Sequence, residues 1–173
     1  MKHKFLLLYS WFVRTIMYFL PDIPFIMRFR GFLYGLGMKK CGKDFQVTHN
    51  AIIKELERLS VGDNCFVGNG SIIMGSGTVI IENQVLIAPN VIIISGNHTS
   101  QGGSYRYGKG NAGIIKLEYG SWVAGNCVVQ KDSTLPSNSV LAANSVLNTI
   151  FTVSNGIYAG NPANLIKVKN YNA

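Results

Sequence analysis

A period of six residues constrains this chain more than any other feature. Written in sixes from Leu117, it reads LEYGSW, VAGNCV, VQKDST, LPSNSV and LAANSV, and the next block opens at Leu147. The first position is always aliphatic: Leu117, Val123, Val129, Leu135 and Leu141. The fifth is always small: Ser121, Cys127, Ser133, Ser139 and Ser145. A less regular run places Val61, Val67 and Ile73 six apart, with Cys65, Ser71 and Gly77 in the small slot. Two extra residues then shift the frame. Ile81 and Ile87 resume it, with Val85 and Val91 at the fifth position.

This period matches neither an amphipathic helix nor a long alternating strand. It fits a triangular prism of short parallel strands, with one block per side and three blocks per coil. The aliphatic residue fills the prism, and the small residue sits where the chain turns a corner. Coils then stack at the ~4.8 Å spacing of neighbouring strands. Asn, Asp and Gly between the inward positions supply the turns. A single coil cannot bury its own apolar side, so stability comes from stacked neighbours. The expected class is all-β: a parallel β-helix of hexapeptide repeats with a short helical N-terminal segment and one long excursion loop.

The composition agrees with one packed domain. Of 173 residues, 47% are apolar and 14% charged, which excludes a disordered chain. A net charge of +8 favours anionic partners without choosing among them. The cysteines are Cys41, Cys65 and Cys127, an odd number with no CxxC, so neither a disulfide framework nor a zinc site is suggested. A reducing, cytoplasmic setting is the simplest expectation. Cys65 and Cys127 occupy the small slot, where a buried thiol behaves as a small hydrophobe.

The N-terminal segment, 1–45, is apolar and basic. Lys2 and Lys4 precede the run Phe5 to Val13, which Arg14 interrupts; Pro21, Asp22 and Pro24 end the next run. No small-residue cleavage pattern follows. No stretch reaches the ~20 apolar residues that span a bilayer. With its aromatics and Arg28, Arg30, Lys39 and Lys40, the segment reads as one or two short helices. These either lie on a membrane surface or cap the domain. The repeat domain is expected over 46–168, with a tail at 169–173.

Function in a repeat protein sits where the repeat breaks. Here the break is SGNHTSQGGSYRYGKGNAG, residues 95–113, with many glycines and no aliphatic residue before Ile114. A loop of this length without a hydrophobic pattern is functional or disordered. His98 follows the strand Ile92 to Ile94 and opens this excursion. An imidazole with an unperturbed pKa of about 6.5 suits general-base work at neutral pH. His3 lies at a terminus expected to move, and His49 precedes the regular repeat. The three histidines lack the spacing of zinc ligands, so no metal is expected.

Three segments carry a resemblance: IAPNVIIISGNH (87–98), GSWVAGNCVV (120–129) and IYAGNPANLIKV (157–168). Together they resemble the hexapeptide-repeat acyltransferases, in order and with compatible spacing, over roughly residues 59 to 168. The resemblance implies a left-handed β-helix, although parallel crossovers are normally right-handed. It implies acetyl-CoA as co-substrate, His98 as the base, and direct transfer without an acyl-enzyme. It places Trp122 beside the pantetheine arm, with backbone amides at Gly125 and Ala143 holding that arm. Asn161 and Pro162 close over the donor. Lys167, with Lys169, is a candidate phosphate partner. Asn69 is carried over as an acceptor-binding residue. Tyr105, Arg106, Tyr107 and Lys109 could form a partly cationic acceptor lip.

The chain also departs from that family. Thr149 stands where a lysine near the CoA phosphates is common, and Asn164 where a basic residue is common. Thr99, Ser100 and Gln101 lack the histidine and glutamate of the galactoside and maltose branch, which argues against small free sugars. The N-terminal segment followed by KKCGKDFQV resembles O-acetyltransferases of bacterial capsule, exopolysaccharide and O-antigen biosynthesis. Their acceptors are lipid-linked or nucleotide-linked saccharides at the inner face of the cytoplasmic membrane. The family implies a homotrimer, in which His98 works with residues 122–125 of an adjacent subunit. The expectation is a sugar O-acetyltransferase with no nucleic-acid partner. The alternatives are N-acetylation of an amino-sugar nucleotide and a non-catalytic scaffold.

Overall fold

The computed structural model describes residues 1–170. Its body is a three-sided parallel β-solenoid of five coils. The first coil holds β1 (Lys40–Cys41), β2 (Gln46–Val47) and β3 (Ile52–Ile53). The second holds β4 (Leu59–Val61), β5 (Phe66–Val67) and β6 (Ile72–Met74), and the third β7 (Thr78–Ile81), β8 (Leu86–Ile87) and β9 (Ile92–Ile94). A hairpin of β10 (Gly96–His98) and β11 (Gly110–Ala112) intervenes. The fourth coil holds β12 (Ile114–Leu117), β13 (Trp122–Val123) and β14 (Val128–Gln130). The fifth holds β15 (Ser133–Leu135), β16 (Val140–Leu141) and β17 (Val146–Leu147). Corresponding strands stack into three faces: β1-β4-β7-β12-β15, then β2-β5-β8-β13-β16, then β3-β6-β9-β14-β17.

The hexapeptide columns do what their chemistry requires. Val47, Val67, Ile87, Val123 and Leu141 stack as one inward column, all buried, and equivalent columns line the other faces. The small slot is buried too, including Cys65, Ser71, Cys127, Ser139 and Ser145. Corners need a left-handed residue, which Asn tolerates better than most. Asn64, Asn90, Asn126 and Asn144 take it, with φ of 57, 59, 60 and 61°.

Extra length is confined to one edge, between the third and first faces. Lys40 lies beside Ser60 and Ser60 beside Ile80, so a coil consumes 20 residues there. Ile80 then lies beside Lys116, and Lys116 beside Thr134. The ladder thus closes unbroken across the excursion, and the later coils are shorter.

The first coil begins at Lys40, inside the segment expected to be helical to residue 45. Its columns, Cys41, Val47 and Ile53, are six apart and pair with the next coil. Phe45 obscured it by filling a slot that is small elsewhere. The slot accepts a large ring because this end of the prism is open and is closed by helices.

Those helices are α1 (Lys2–Met17) and α2 (Pro24–Gly35), the second with proline in its first turn, where no amide bond is lost. Leu6, Ser10, Val13 and Met17 face inward from α1, and Met27, Arg30, Gly31 and Tyr34 from α2. Gly31 is required, since a Cβ there would lie 1.8 Å from the Phe45 carbonyl oxygen. Arg30 is buried and donates to the carbonyls of Val47 (2.5 Å), Met17 (3.2 Å) and Leu20 (3.1 Å), and to Asp22 (3.0 Å). It ties the end of α1 to the first coil. Asp22 also accepts from the His49 backbone (2.8 Å) and pairs with its ring (2.7 Å). His3 lies on α1 rather than at a loose end, with its ring 2.5 Å from Glu57. At the other end, β18 (Gly156–Gly160) extends the second face and pairs antiparallel with β19 (Ala163–Val168). The tail expected at 169–173 has its last three residues outside the described part.

Candidate active site

His98 is placed by the prism and not by a free loop. Expected as a long excursion loop without a hydrophobic pattern, 95–113 contains a hairpin in which Gly96 faces Ala112, Asn97 faces Asn111 and His98 faces Gly110. Backbone hydrogen bonds pay no heed to side-chain pattern, so no alternation announced it. Its root is locked to the coil: the Gly113 N–H donates to the Ser95 carbonyl (2.9 Å) and the Thr78 N–H to the Gly113 carbonyl (2.9 Å). Gly77 lets these strands converge; a Cβ there would lie 2.0 Å from the Gly113 oxygen and 2.3 Å from that of Ser95. Farther out, Thr99 donates from both backbone (3.1 Å) and hydroxyl (2.8 Å) to the Lys109 carbonyl. Beyond it, Tyr105, Arg106 and Tyr107 are exposed.

The His98 imidazole is solvent-accessible, and the backbone N–H of His98 donates to the Asn97 side-chain oxygen at 2.8 Å. It borders a cleft of about 540 Å³ with Met74, Ile94, Asn97, Gln130 and Lys131. These come from three successive coils on the third face and its edge. Lys131 binds Asp132 at 2.6 Å. That hydrogen bond, aided by the Ile114 N–H, holds the Asp132 carboxyl below its usual range. A water-accessible imidazole on a locked hairpin, beside an apolar floor and the Lys131–Asp132 ion pair, can take a proton from a nucleophile seated in the cleft. Met74, Gln130 and Lys131 were not candidates from the sequence. They meet His98 only because stacking brings residues of different coils into register.

The remaining candidates form a second group. Asn69, Gly125 and Ala143 occupy equivalent turns on the edge between the second and third faces. Hydrogen bonds knit that column: Asn90 N–H to Asn69 (2.8 Å), Asn126 N–H to Pro89 (3.1 Å) and Asn144 N–H to Gly125 (3.1 Å). Asn161 and Pro162 sit exposed in the turn between β18 and β19, and Lys167 is exposed on β19. Trp122 stands on the second face between Leu86 and Val140, 43% exposed. None of this group lines the cleft at His98. A side of about six residues, at ~3.3 Å each, puts up to ~20 Å between the two edges. Within one chain, therefore, His98 and the Trp122–Gly125–Ala143 group remain apart.

The outer surfaces differ in kind. The third face presents Ile52, Ile72, Ile92, Val128 and Val146 in register. The second presents Gln46 and then Phe66, Leu86, Trp122, Val140 and Ile157. The first presents Lys40, Ser60, Ile80, Lys116 and Thr134. Two outer faces are thus apolar ladders, and one is largely polar.

No protein-family model matches the chain, and no curated protein matches it. Solved structures do. A maltose O-acetyltransferase from Clostridium difficile superposes with a TM-score of 0.84 at 22% identity, over 96% of this chain and 88% of its own. A hexapeptide-repeat acetyltransferase from Vibrio cholerae, complexed with acetyl coenzyme A, gives 0.82 at 19% identity, over 95% and 87%. An N-acyltransferase variant from Bacillus cereus, in complex with dTDP-4-amino-4,6-dideoxyglucose and coenzyme A, gives 0.62 at 17%, over 80% and 88%. The chain has the left-handed β-helix fold of the hexapeptide-repeat acetyltransferases. The first two matches extend over nearly all of it, the N-terminal helices included.

Proposed function

We propose that this protein is an acetyl-CoA-dependent O-acetyltransferase. Its acceptor is a sugar hydroxyl of a bacterial cell-surface polysaccharide, or of its lipid- or nucleotide-linked precursor. The observation that carries the reading is His98, held on a locked hairpin beside a cleft, on a fold of which one solved example is complexed with acetyl-CoA.

The donor residues fit a narrow, partly apolar arm. Gly125 and Ala143 leave little side chain on their edge, and a Cβ at Gly125 would still lie 3.5 Å from the nearest atom, the Pro89 oxygen. Trp122 adds an apolar wall on the adjoining face. Asn161, Pro162 and Lys167 lie on the same side for the rest of the donor. A bound thioester supplies the electrophilic carbonyl. His98 accepts the acceptor hydroxyl's proton as its oxygen attacks that carbonyl, the carbon–sulfur bond breaks, and the imidazolium passes the proton to the departing thiolate, which leaves as the free thiol. No cysteine need carry the acyl group: Cys65 and Cys127 are buried in the prism, and burial pushes both thiols up. Tyr105, Arg106 and Tyr107 on the hairpin, with Asn69, would receive the sugar. Because one chain separates His98 from the donor residues, the reading includes a homotrimer with each site between two copies. The apolar ladders on two faces support it, since such surfaces ask to be covered.

N-acetylation of an amino-sugar nucleotide is the second reading, supported by the Bacillus cereus neighbour's ligand. That neighbour leaves a fifth of this chain unmatched, whereas the maltose enzyme leaves 4%. The test is thiol release from acetyl-CoA with lipid-linked and nucleotide-linked sugars as acceptors. His98→Ala should slow it by about 10²–10⁴-fold, the usual worth of a general base. Unchanged turnover in that variant would remove His98 from the mechanism.

A further inference from the structure

The helical cap is apolar on both sides, and only one side is covered. Beneath lie Leu6, Val13, Met17, Met27 and Tyr34. On the outside, α1 presents Phe5, Leu8, Phe12 and Ile16, a stripe at three- and four-residue spacing, flanked by Trp11. Along α2 and the residue that follows it, Phe25, Phe29, Phe32 and Leu36 form another at the same spacing, with exposures of 76, 48, 58 and 65%. A helix apolar all round belongs in a protein core or in lipid. No described helix is long and apolar enough to cross a membrane.

Charge points the same way. Residues 1–43 hold eight of the 16 Lys and Arg and one of the eight Asp and Glu, so they carry nearly all of the net charge of +8. A groove of about 680 Å³ beside the α2 stripe joins the two features. Arg28, Lys39, Lys40 and Lys43 surround Phe32 and Leu36, with Asp44 as the one acidic lining residue. Asp44 pairs with Arg28 at 3.3 Å.

We propose that the cap seats the protein on an anionic phospholipid bilayer. The outward stripes of α1 and α2 enter the interface, and Lys39, Lys40, Lys43 and Arg28 meet headgroup phosphates. A second copy is the poorer occupant, because its cap would bring the same positive charge against this one. The inference stands on the cap alone and does not rest on the acetyl-transfer reading.

The test is sedimentation of the full chain with vesicles. It should bind phosphatidylcholine vesicles containing phosphatidylglycerol, bind phosphatidylcholine alone poorly, and release at high salt. Trp11 fluorescence, read in a Trp122→Phe background, should shift to the blue on binding. The double variants Phe25→Ser/Phe29→Ser and Lys39→Glu/Lys40→Glu, at exposed positions, should each weaken binding tenfold or more with an unchanged unfolding temperature. No vesicle binding, or equal binding to neutral and anionic vesicles, would overturn the proposal. So would a Phe25→Ser/Phe29→Ser protein that still binds vesicles but loses oligomeric size, which would make the stripe an interface between copies. The vesicle controls with the unaltered protein decide the matter even where a variant fails to fold.

Discussion

His98 and Trp122 leave the prism from different faces. His98 rises at the edge between the third and first faces, whereas Trp122 stands on the second, between Leu86 and Val140. In the proposed mechanism a base at His98 and a donor wall at Trp122 come together where two copies meet.

Complementation tests that arrangement. His98→Ala and Trp122→Ala chains should each be impaired alone. Co-expressed and purified as mixed oligomers, they should regain measurable thiol release, because some junctions pair an intact His98 with an intact Trp122. Mixed oligomers no more active than the parents would place the whole site within one chain.

The hairpin root offers a change that touches no reacting group. In Gly77→Ala the new methyl meets the Gly113 and Ser95 carbonyls at 2.0 and 2.3 Å, so both legs of the hairpin must shift. A displacement of about 1 Å at the base costs about 10²-fold in rate. Circular dichroism should remain that of a β-solenoid while activity falls, and full activity would show that the root does not position His98.

Arg30 should matter for stability out of proportion to its size. Arg30→Met keeps an apolar stem but takes the guanidinium from the carbonyls of Met17, Leu20 and Val47 and leaves Asp22 with His49 alone. The expected loss is about 3 kcal/mol, the scale for breaking a buried charge network. Chemical denaturation would measure it.

The polar face should give stability a pH dependence at both extremes. Burial pulls the Glu118 carboxyl up, but hydrogen bonds from Lys116 and Ser137 outweigh it, and the group titrates below its ordinary 4.5. Its contribution is therefore present above that value and lost as pH falls through the folded pKa. Lys116, hydrogen-bonded to Glu118 and Glu82, titrates above its ordinary 10.5. Its share is full below that value and lost as pH rises through the raised one. Both effects are small, because the half-buried groups stay in contact with water, which screens their interaction. The Tm of Glu118→Gln should fall less between pH 5 and pH 3 than that of the unaltered protein. An identical acid decline would exclude Glu118 as a contributor.

The prism was legible in the sequence because each inward aliphatic and each small corner residue obeys one steric rule, repeated. Leu117 to Leu147 carried it plainly. The first coil was not, since Phe45 breaks that rule where helices rather than another coil cover the end. His98 stood out as the histidine at the break. The cleft it borders did not, because Met74 and Lys131 become its neighbours only after coils of unequal length have stacked. The N-terminal aromatics announced apolar helices, but not that both sides of each would be apolar, which depends on what the prism end covers.

All surplus length leaves the prism along one edge, and the strand ladder passes beneath it undisturbed. Ile80 lies beside Lys116 as regularly as Ser60 lies beside Ile80. The hairpin is thus mechanically separable from the shaft that bears it. Exchanging residues 100–108, beyond His98 and the Thr99–Lys109 bonds, for another tip should retune recognition in the proposed reaction while leaving His98, the proposed donor edge, the outer apolar faces and the helical cap as they are. A lineage built on this shaft can diversify at one exchangeable fitting without refolding the rest.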